Sequence, residues 1–352
     1  MSLSSLPTEL VRQIIKSSAP STFHSNTYDE RQFTLRSLCL VSRLFRQLAQ
    51  PLLFEIIWSY SPESLDAALK ALGSEQGGKA ARHFLLTCDE NCPYLPDRFD
   101  KLVQHLSGIC QLVLKVAGED KLELASLQSL PYLASLQLSG GGYELSSPLV
   151  LGKLHTLTLD DEVLEIFANS LDSEHLPSLR NLALLRVYNE EDANRLRSTL
   201  FANLITQLVS FHSDWELART APELLRSYVD HILFYSYCSD LSRFTLMQLS
   251  TQHLQLCELL DDRGDTIPEL EKFASWIQSG KALALRSLYL EADLQHPKMW
   301  SDGINKVVRK LQKVCKDKRI EIVFEKQAKD ANVDSSISAE FCRRQEASRK
   351  IR

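Results

Sequence analysis

The first part of the chain contains two runs of apolar residues at helical spacing. In the first run, Leu6, Leu10 and Ile14 follow one another at intervals of four residues. Val11 and Ile15 widen the same stripe. This spacing predicts an amphipathic helix at the start of the chain.

A second apolar stripe predicts a second short helix, and the polar segment from Ser17 to Arg31 is predicted as the link between the two helices. The members of the second stripe are Leu35, Leu38, Val41, Phe45 and Leu48. Two short helices cannot bury this much apolar side chain between themselves. Some of it must therefore face a partner or the next domain.

Residues 6–58 resemble an F-box, the helical module by which substrate receptors dock onto cullin-type ubiquitin ligases. The resemblance rests on Leu6-Pro7, Leu10, Ile14, Leu35, Leu38, Cys39, Leu40, Val41-Ser42, Phe45-Arg46, Leu48-Ala49 and Pro51-Leu52-Leu53. It implies that the chain docks a Skp-type adaptor, and through it a cullin. The adaptor contacts that it implies are Leu6, Pro7, Leu10, Ile14, Leu38, Val41 and Phe45. The alternative is that these helices only cap the following domain.

The middle of the chain repeats a nine-residue frame with apolar residues at its first, fourth, seventh and ninth positions. Four copies cover 106–114, 130–138, 151–159 and 176–184, and a weaker copy covers 282–290. The last leucines of the four copies are separated by 24, 21 and 25 residues. Each Leu-x-Leu at the end of a frame predicts a short strand with both leucines turned inward.

These frames resemble leucine-rich repeats, whose period is about 20–29 residues, and the resemblance covers roughly 80–325. It implies an α/β fold in which parallel strands line the concave face of a solenoid, with helices or irregular returns outside. The asparagine usual after Leu-x-Leu is absent, so a regular asparagine ladder is not expected. Irregular repeats behind an F-box are typical of fungal receptors of this family. The alternative is a generic α/β layer protein.

The predicted organisation is an F-box over 1–58, an irregular solenoid over 59–325 and a polar, basic tail over 326–352, for which a disordered segment and a helix with one poor apolar face are the two alternatives. About nine or ten strands are predicted in total, counting those of the frames and further segments between and beyond them. The additional strand segments are 54–58, 82–86, 207–211, 231–235, 253–257 and 319–324. A helix is predicted over 62–72.

The residue between the two strand leucines is expected to point outward, onto the concave face. A target protein would bind there. The candidate target-binding residues are Gln137, Thr158, Asp160, Gln255, Tyr289 and Glu291. This row is mixed in character, so it does not select a class of target.

Composition limits the classes of function. A net charge of −5 and a pI of about 6.0 give no bulk electrostatic reason for binding nucleic acid or a membrane surface. The chain has eight scattered cysteines and does not begin with a typical signal peptide. We therefore expect free thiols and a cytoplasmic or nuclear location.

The sequence offers no constellation for catalysis, so the chain is expected to be a receptor and not an enzyme. Cys88 and Cys92, with His83 nearby, lack the second ligand pair that zinc needs. Gly140 begins a run of three glycines without the lysine of a phosphate-binding loop. His212, Ser213 and Asp214 are adjacent, which is not the geometry of a triad. No cofactor or metal is expected.

The predicted function is substrate recognition in an SCF-type ubiquitin ligase. The F-box would hold the adaptor, and the solenoid would hold the target for ubiquitin transfer. The alternative is a leucine-rich-repeat interaction scaffold without a ligase role. A third class, an enzyme, would need a cluster of buried, perturbed titratable groups in a pocket.

Overall fold

The structure is a computed structural model that describes residues 6–19, 25–88, 95–118, 120–185, 196, 199–214, 231–235, 251–257, 266–291, 294 and 302–325. Internal contacts divide the chain into two compact units, 1–154 and 155–352. Each unit combines α-helices with parallel β-strands. The chain is therefore a mixed α/β protein, and the predicted fold class is confirmed to that extent.

The first unit begins with three helices. They are α1 (Thr8–Ser18), α2 (Ser25–Val41) and α3 (Arg43–Glu55). Two predictions were wrong here. The segment 17–31 is not wholly a link, because α2 begins at Ser25. The second stripe does not lie on one helix, because the hydroxyl of Ser42 accepts a hydrogen bond of 3.2 Å from the backbone N–H of Phe45 and starts α3.

The helix predicted over 62–72 is confirmed as α4 (Pro62–Leu72). Its start follows from local chemistry: Pro62 occupies the first turn, and the Ser61 hydroxyl accepts a 3.2 Å hydrogen bond from the N–H of Ser64. The described part of the first unit also contains α5 (Glu75–Ala80), α6 (Leu95–His105) and a 3₁₀ helix over Leu124–Ser129.

Four strands of the first unit form a parallel sheet in the order β1, β2, β3, β5. They are β1 (Ile56–Ser59), β2 (His83–Cys88), β3 (Gln111–Val116) and β5 (Ser135–Ser139). The two-residue strands β4 (Leu122–Glu123) and β6 (Tyr143–Glu144) pair separately. Strand β1 begins two residues later than predicted, because α3 continues to Glu55.

The described part of the second unit contains seven parallel strands that follow the sheet in chain order. They are β7 (Thr156–Asp160), β8 (Asn181–Leu185), β9 (Ser210–Asp214), β10 (His231–Tyr235), β11 (His253–Cys257), β12 (Ser287–Glu291) and β13 (Glu321–Glu325). The predicted segments 231–235 and 253–257 match β10 and β11. Strand β9 lies three residues beyond its prediction, because a helix occupies the residues up to Gln207.

The described helices of the second unit follow individual strands. They are α7 (Asp161–Phe167), α8 (Thr199–Gln207), α9 (Thr266–Gln278) and α10 (Asp302–Asp317), with a 3₁₀ turn over Ala168–Ser170. Helix α10 leads into β13, and Ile320 between them is buried. The tail predicted over 326–352 lies outside the described residues.

The leucines of the repeated frames are buried, as predicted. Leu157 and Leu159 of β7, and Leu182 and Leu184 of β8, are inaccessible to solvent. The register places Leu157 opposite Leu182 and Leu159 opposite Leu184, so identical side chains stack from strand to strand. This stacking is the main source of the core in the described part of the sheet.

The opposite face of the strands was predicted to be open, and this is wrong for three candidate residues. Gln137, Thr158 and Asp160 are 5%, 1% and 1% exposed. Neighbouring strands flank these side chains, because the register places Gln137 opposite Val113 and Thr158 opposite Ala183. Tyr289 is half-buried, whereas the side chains of Gln255 and Glu291 lie outside the described residues.

Polar side chains form a ladder at the first position of three neighbouring strands of the second unit. The Asn181 side-chain amide donates a hydrogen bond of 3.1 Å to Thr156 Oγ1. The Ser210 hydroxyl donates one of 2.7 Å to Asn181 Oδ1. Asn181 and Ser210 are buried, so the ladder satisfies polar groups that would otherwise destabilise the sheet.

Candidate functional site

The three amino-terminal helices enclose a small hydrophobic core of their own. Its buried members are Val11, Ile15, Ala19, Leu35, Phe45, Ala49 and Leu52. Each helix contributes at least one side chain to this core. Burial of this apolar surface holds the helices together and fixes which of their faces remain outside.

Hydrogen bonds from the middle and the end of α2 fix its position against α3. In the middle of α2, the buried Arg31 guanidinium makes a 3.0 Å ion pair with Glu55, and Gln32 donates a 3.3 Å hydrogen bond to the carbonyl of Leu53. Near its end, Arg46 Nε donates a 3.2 Å hydrogen bond to the carbonyl of Cys39. The two helices are therefore held in a defined geometry.

Among the described side chains of the three helices, five large apolar ones face solvent instead of the core. On α1 they are Leu10 and Ile14, one turn apart; on α2 they are Phe33, Leu40 and Val41. Leu10 is 45% exposed and Leu40 is 80% exposed. We call these five side chains the exposed apolar residues. Single exposed leucines are ordinary, but this number on two short helices is typical of an interaction site.

The predicted adaptor contacts divide into three groups. Pro7, Leu10, Ile14 and Val41 are exposed, so they lie where a partner could reach them. Leu6 and Leu38 are partly buried and pack against the module core.

Phe45 differs from the other predicted contacts, because it is buried in the module core. Its ring supports the helices from within and does not lie on the surface. The prediction of Phe45 as a direct contact is therefore corrected to a supporting role.

Sequence reasoning missed Phe33 and Leu40 as surface residues. Phe33 was not part of either stripe, and α2 was predicted to begin too late to show that Phe33 lies in its middle. The signal was present in the spacing: Phe33 and Leu40 are seven residues apart, which places them on one helix face two turns apart.

The exposed charged residues of the three helices are mainly basic. The exposed cations of the three helices are Arg12, Lys16, Arg36, Arg43 and Arg46. The exposed carboxylates among their described side chains are Glu9, Asp29 and Glu30. A partner that covers this surface should therefore present carboxylates, and salt should slow its association.

The residues considered above as metal ligands, His83 and Cys88, are engaged in the packing and hydrogen bonding of the fold. His83 Nδ1 lies 3.2 Å from the side-chain oxygen of Gln111, and burial lowers the pKa of His83. Cys88 is buried, and Cys92 lies outside the described residues. Among the described residues, no group of three His, Cys, Asp or Glu side chains could hold a metal ion.

The glycine run at 140–142 forms a close turn against strand β3. Gly140 has a φ of 90°, which other residues rarely adopt, and a side chain there would collide with the carbonyl of Val116. The backbone N–H of Gly142 donates a 3.2 Å hydrogen bond to the same carbonyl. The glycines are therefore explained by packing of the turn.

His212 and Ser213 are both buried on strand β9. Successive residues of a strand point to opposite faces, so these two side chains do not face a common site. The side chain of Asp214 lies outside the described residues. None of the described helices is both long and apolar enough to cross a membrane.

Comparison with models of known protein families gave no match, and comparison with curated proteins gave none either. The module of three helices and its exposed apolar residues must therefore be interpreted from its own geometry.

Proposed function

We propose that the chain is the substrate-recognition subunit of an SCF-type cullin ubiquitin ligase, and that α1–α3 form an F-box that docks a Skp-type adaptor. The observation that carries the proposal is the set of exposed apolar residues, among which Leu10, Ile14 and Val41 coincide with adaptor positions of the F-box pattern. Leu40, the most exposed of the five, belongs to the same pattern.

The packing of the module supports the proposal independently of the pattern. The core of α1–α3 is satisfied by side chains other than the exposed ones, so Leu10, Ile14 and Leu40 are not needed to fold it. Fully covering an exposed side chain of this size contributes about 1.5–3 kcal/mol, and less for Leu10 and Ile14, which are already partly covered. A partner that covers several of them therefore gains a large free energy of binding.

We also propose that the strand-and-return units are leucine-rich repeats that hold the target of the ligase. Parallel strands with stacked leucines and variable returns in each unit support this assignment. The chain would then supply no reacting group. It would raise the rate of ubiquitin transfer by holding the target near a separate conjugating enzyme.

The proposal is tested by a three-component binding experiment. The chain is immobilised and incubated with a purified cullin, with or without the Skp-type adaptor. We expect the cullin to be retained only when the adaptor is present, because the adaptor bridges the two. Direct retention of the cullin, or none with adaptor present, would overturn the proposal.

A matched pair of variants makes the experiment specific. Leu40→Asp places a charge on the exposed surface and should abolish retention of adaptor and cullin. Leu283→Asp places the same charge on an equally exposed leucine of the second unit and should leave retention unchanged.

A further inference from the structure

Helix α10 (Asp302–Asp317) and the turn after it carry a charge opposite to that of the whole chain. Residues 302–319 contain seven Lys or Arg residues and two Asp residues, whereas the chain has a net charge of −5. All seven cations are exposed: Lys306, Arg309, Lys310, Lys313, Lys316, Lys318 and Arg319. None of them has an ion-pair partner within the part of the chain that the structure describes.

Helix stability does not account for this arrangement. Cations in the last turn of a helix, such as Lys316, are favoured by the helix dipole, but Lys306, Arg309 and Lys310 lie outside the first and last turns and gain nothing from it. Lys306 and Lys310 are also four residues apart, and like charges at this spacing repel each other. The buried face of α10 is apolar and needs no charged neighbours.

A groove lies beside this helix. It has a volume of about 490 Å³ and is lined by three lysines from three segments: Lys272 of α9, Lys281 of the following turn and Lys310 of α10. The buried Trp276 also lines it. Lys272 pairs with the buried Glu269 at 2.8 Å, and Glu271 adds one carboxylate to the rim.

An exposed large apolar side chain lies two residues after one of the lysines that line the groove. Leu283 lies two residues after Lys281 in the same turn and is 80% exposed. A partner that reaches the lysines can therefore also cover an apolar group. Lys281 and Lys310 come from different segments and can each meet a separate carboxylate, whereas the leucine can meet an apolar side chain.

We infer that the groove between α9 and α10 docks an extended, acidic protein segment that carries at least one apolar side chain. Its carboxylates pair with Lys281 and Lys310 in the groove and with Lys306, which lies outside the groove lining and one turn before Lys310 on α10, and its apolar residue covers Leu283. If this segment belongs to the target of the ligase, that assignment rests on the proposed function. The docking of the segment in the groove does not depend on the proposed function.

Two other polyanions fit the observations less well. A nucleic-acid backbone presents closely spaced negative charges that would run past Glu271, and it is recognised preferentially by arginine, whereas five of the seven cations are lysines. Attachment to an anionic membrane needs apolar side chains on the exposed face of the helix. On α10, Val307, Val308, Leu311 and Val314 are buried, and the half-buried Ile304 is a single apolar side chain, too little for such an attachment.

The test is fluorescence anisotropy with a labelled peptide of alternating glutamate and serine around one leucine. The full chain should bind it, and raising the salt should weaken binding because the charges are exposed. The same peptide with glutamine in place of glutamate should not bind. Equal binding of the glutamine peptide would overturn the inference.

Variants locate the site. Reversing both charges, in a Lys306→Glu/Lys310→Glu variant, should weaken binding about tenfold or more. The control is Lys101→Glu/Lys121→Glu, which makes the same change of charge at exposed lysines of the first unit and should leave the affinity unchanged. Equal effects of both variants would mean that the peptide senses only the net charge, and would overturn the inference.

Two further measurements complete the test. Labelled oligothymidylate or vesicles containing phosphatidylserine should bind more weakly than the peptide; tighter binding of either, lost in Lys306→Glu/Lys310→Glu, would overturn the protein-segment assignment. Adaptor binding should be unaffected by that variant, and Leu40→Asp should still bind the peptide. Failure of the groove and failure of the ligase proposal therefore give different results.

Discussion

Leu10 and Val11 are neighbours in helix α1, yet Val11 is fully buried in the core of the three-helix module while Leu10 faces solvent. The boundary between the core and the exposed apolar residues therefore runs between two adjacent residues. Substitutions on its two sides should have separable effects on folding and on binding.

The first prediction uses this pair. Val11→Asp should lower the free energy of unfolding by about 3 kcal/mol or more, because the carboxylate is buried without a partner. Leu10→Asp should change it by less than about 0.5 kcal/mol, as is usual at the surface, but abolish adaptor binding. Chemical denaturation and adaptor titration measure the two effects. Equal destabilisation by both variants would contradict the assigned faces of α1.

The second prediction concerns Phe33, which the sequence did not mark as a contact. Phe33→Ala should weaken adaptor binding about tenfold, since aromatic side chains often dominate an interface. The control is Tyr132→Ala, which removes an exposed aromatic ring of the same unit outside the three helices. Calorimetric titration measures both affinities. An unchanged affinity for Phe33→Ala would confine the docking surface to the residues around Leu10 and Leu40.

The third prediction tests the stacked leucines of the second unit. Leu157 is fully buried between its neighbours, so Leu157→Ala should lower the free energy of unfolding by about 2–5 kcal/mol. Leu283→Ala, at an exposed position, should leave it within about 0.5 kcal/mol. Denaturant titration monitored by circular dichroism distinguishes them, and no loss of stability in Leu157→Ala would mean that the leucine stack is not the core.

The fourth prediction tests the polar ladder. Asn181→Ala removes the partner of the buried Ser210 hydroxyl, so the free energy of unfolding should fall by about 1–3 kcal/mol. Asn203→Ala changes an exposed asparagine of α8 and should have little effect. The measurement is thermal unfolding of both variants. If both lose equally little stability, the ladder contributes no net stability.

The fifth prediction concerns acid stability. Burial alone would raise the pKa of Asp172, but hydrogen bonds from the backbone N–H groups of His175 and Glu174 and from the His175 ring outweigh it, so the pKa is lowered. A lowered folded-state pKa stabilises the fold above the unfolded value of about 3.9, and this stabilisation is lost as the pH falls through the folded value. Asp172→Asn should therefore be less stable at neutral pH and less sensitive to acid.

The check is the free energy of unfolding measured from neutral pH down to about pH 3 for both proteins. The difference between the native chain and Asp172→Asn should shrink as the pH falls. A difference that stays constant over this range would show that ionised Asp172 contributes nothing specific.

The sequence predicted the elements of this protein better than its surfaces. Helix α4 and strands β10 and β11 were located to the residue, because apolar spacing and turn chemistry are local. The predicted start of a strand was wrong where a helix continues directly into it, as α3 does at Glu55 before β1. Apolar residues at such a junction fit the pattern of either element.

The exposure of individual side chains was harder to predict. Thr158 and Asp160 carry polar side chains, which favour an exposed position, yet both are buried on a parallel strand. Asp160 is retained there because its carboxylate accepts a 3.2 Å hydrogen bond from the N–H of Val163 and caps α7. Such compensation depends on residues that the strand pattern alone does not bring together.

The exposed apolar residues show the opposite case, in which apolar side chains that the pattern would bury face solvent. Val11 and Leu10 are equally apolar, and the helical period places both on one broad stripe. Only the packing of α2 and α3 decides which of them is covered.

Co-expression of the chain with a Skp-type adaptor, followed by size-exclusion chromatography, tests the central claim most directly. We predict a stable 1:1 complex for the native chain and for Tyr132→Ala, and none for a Leu10→Asp/Leu40→Asp variant that elutes as a folded monomer. Separate elution of the native chain and the adaptor, or a complex that survives in the double variant, would contradict the assignment of α1–α3 as the docking module.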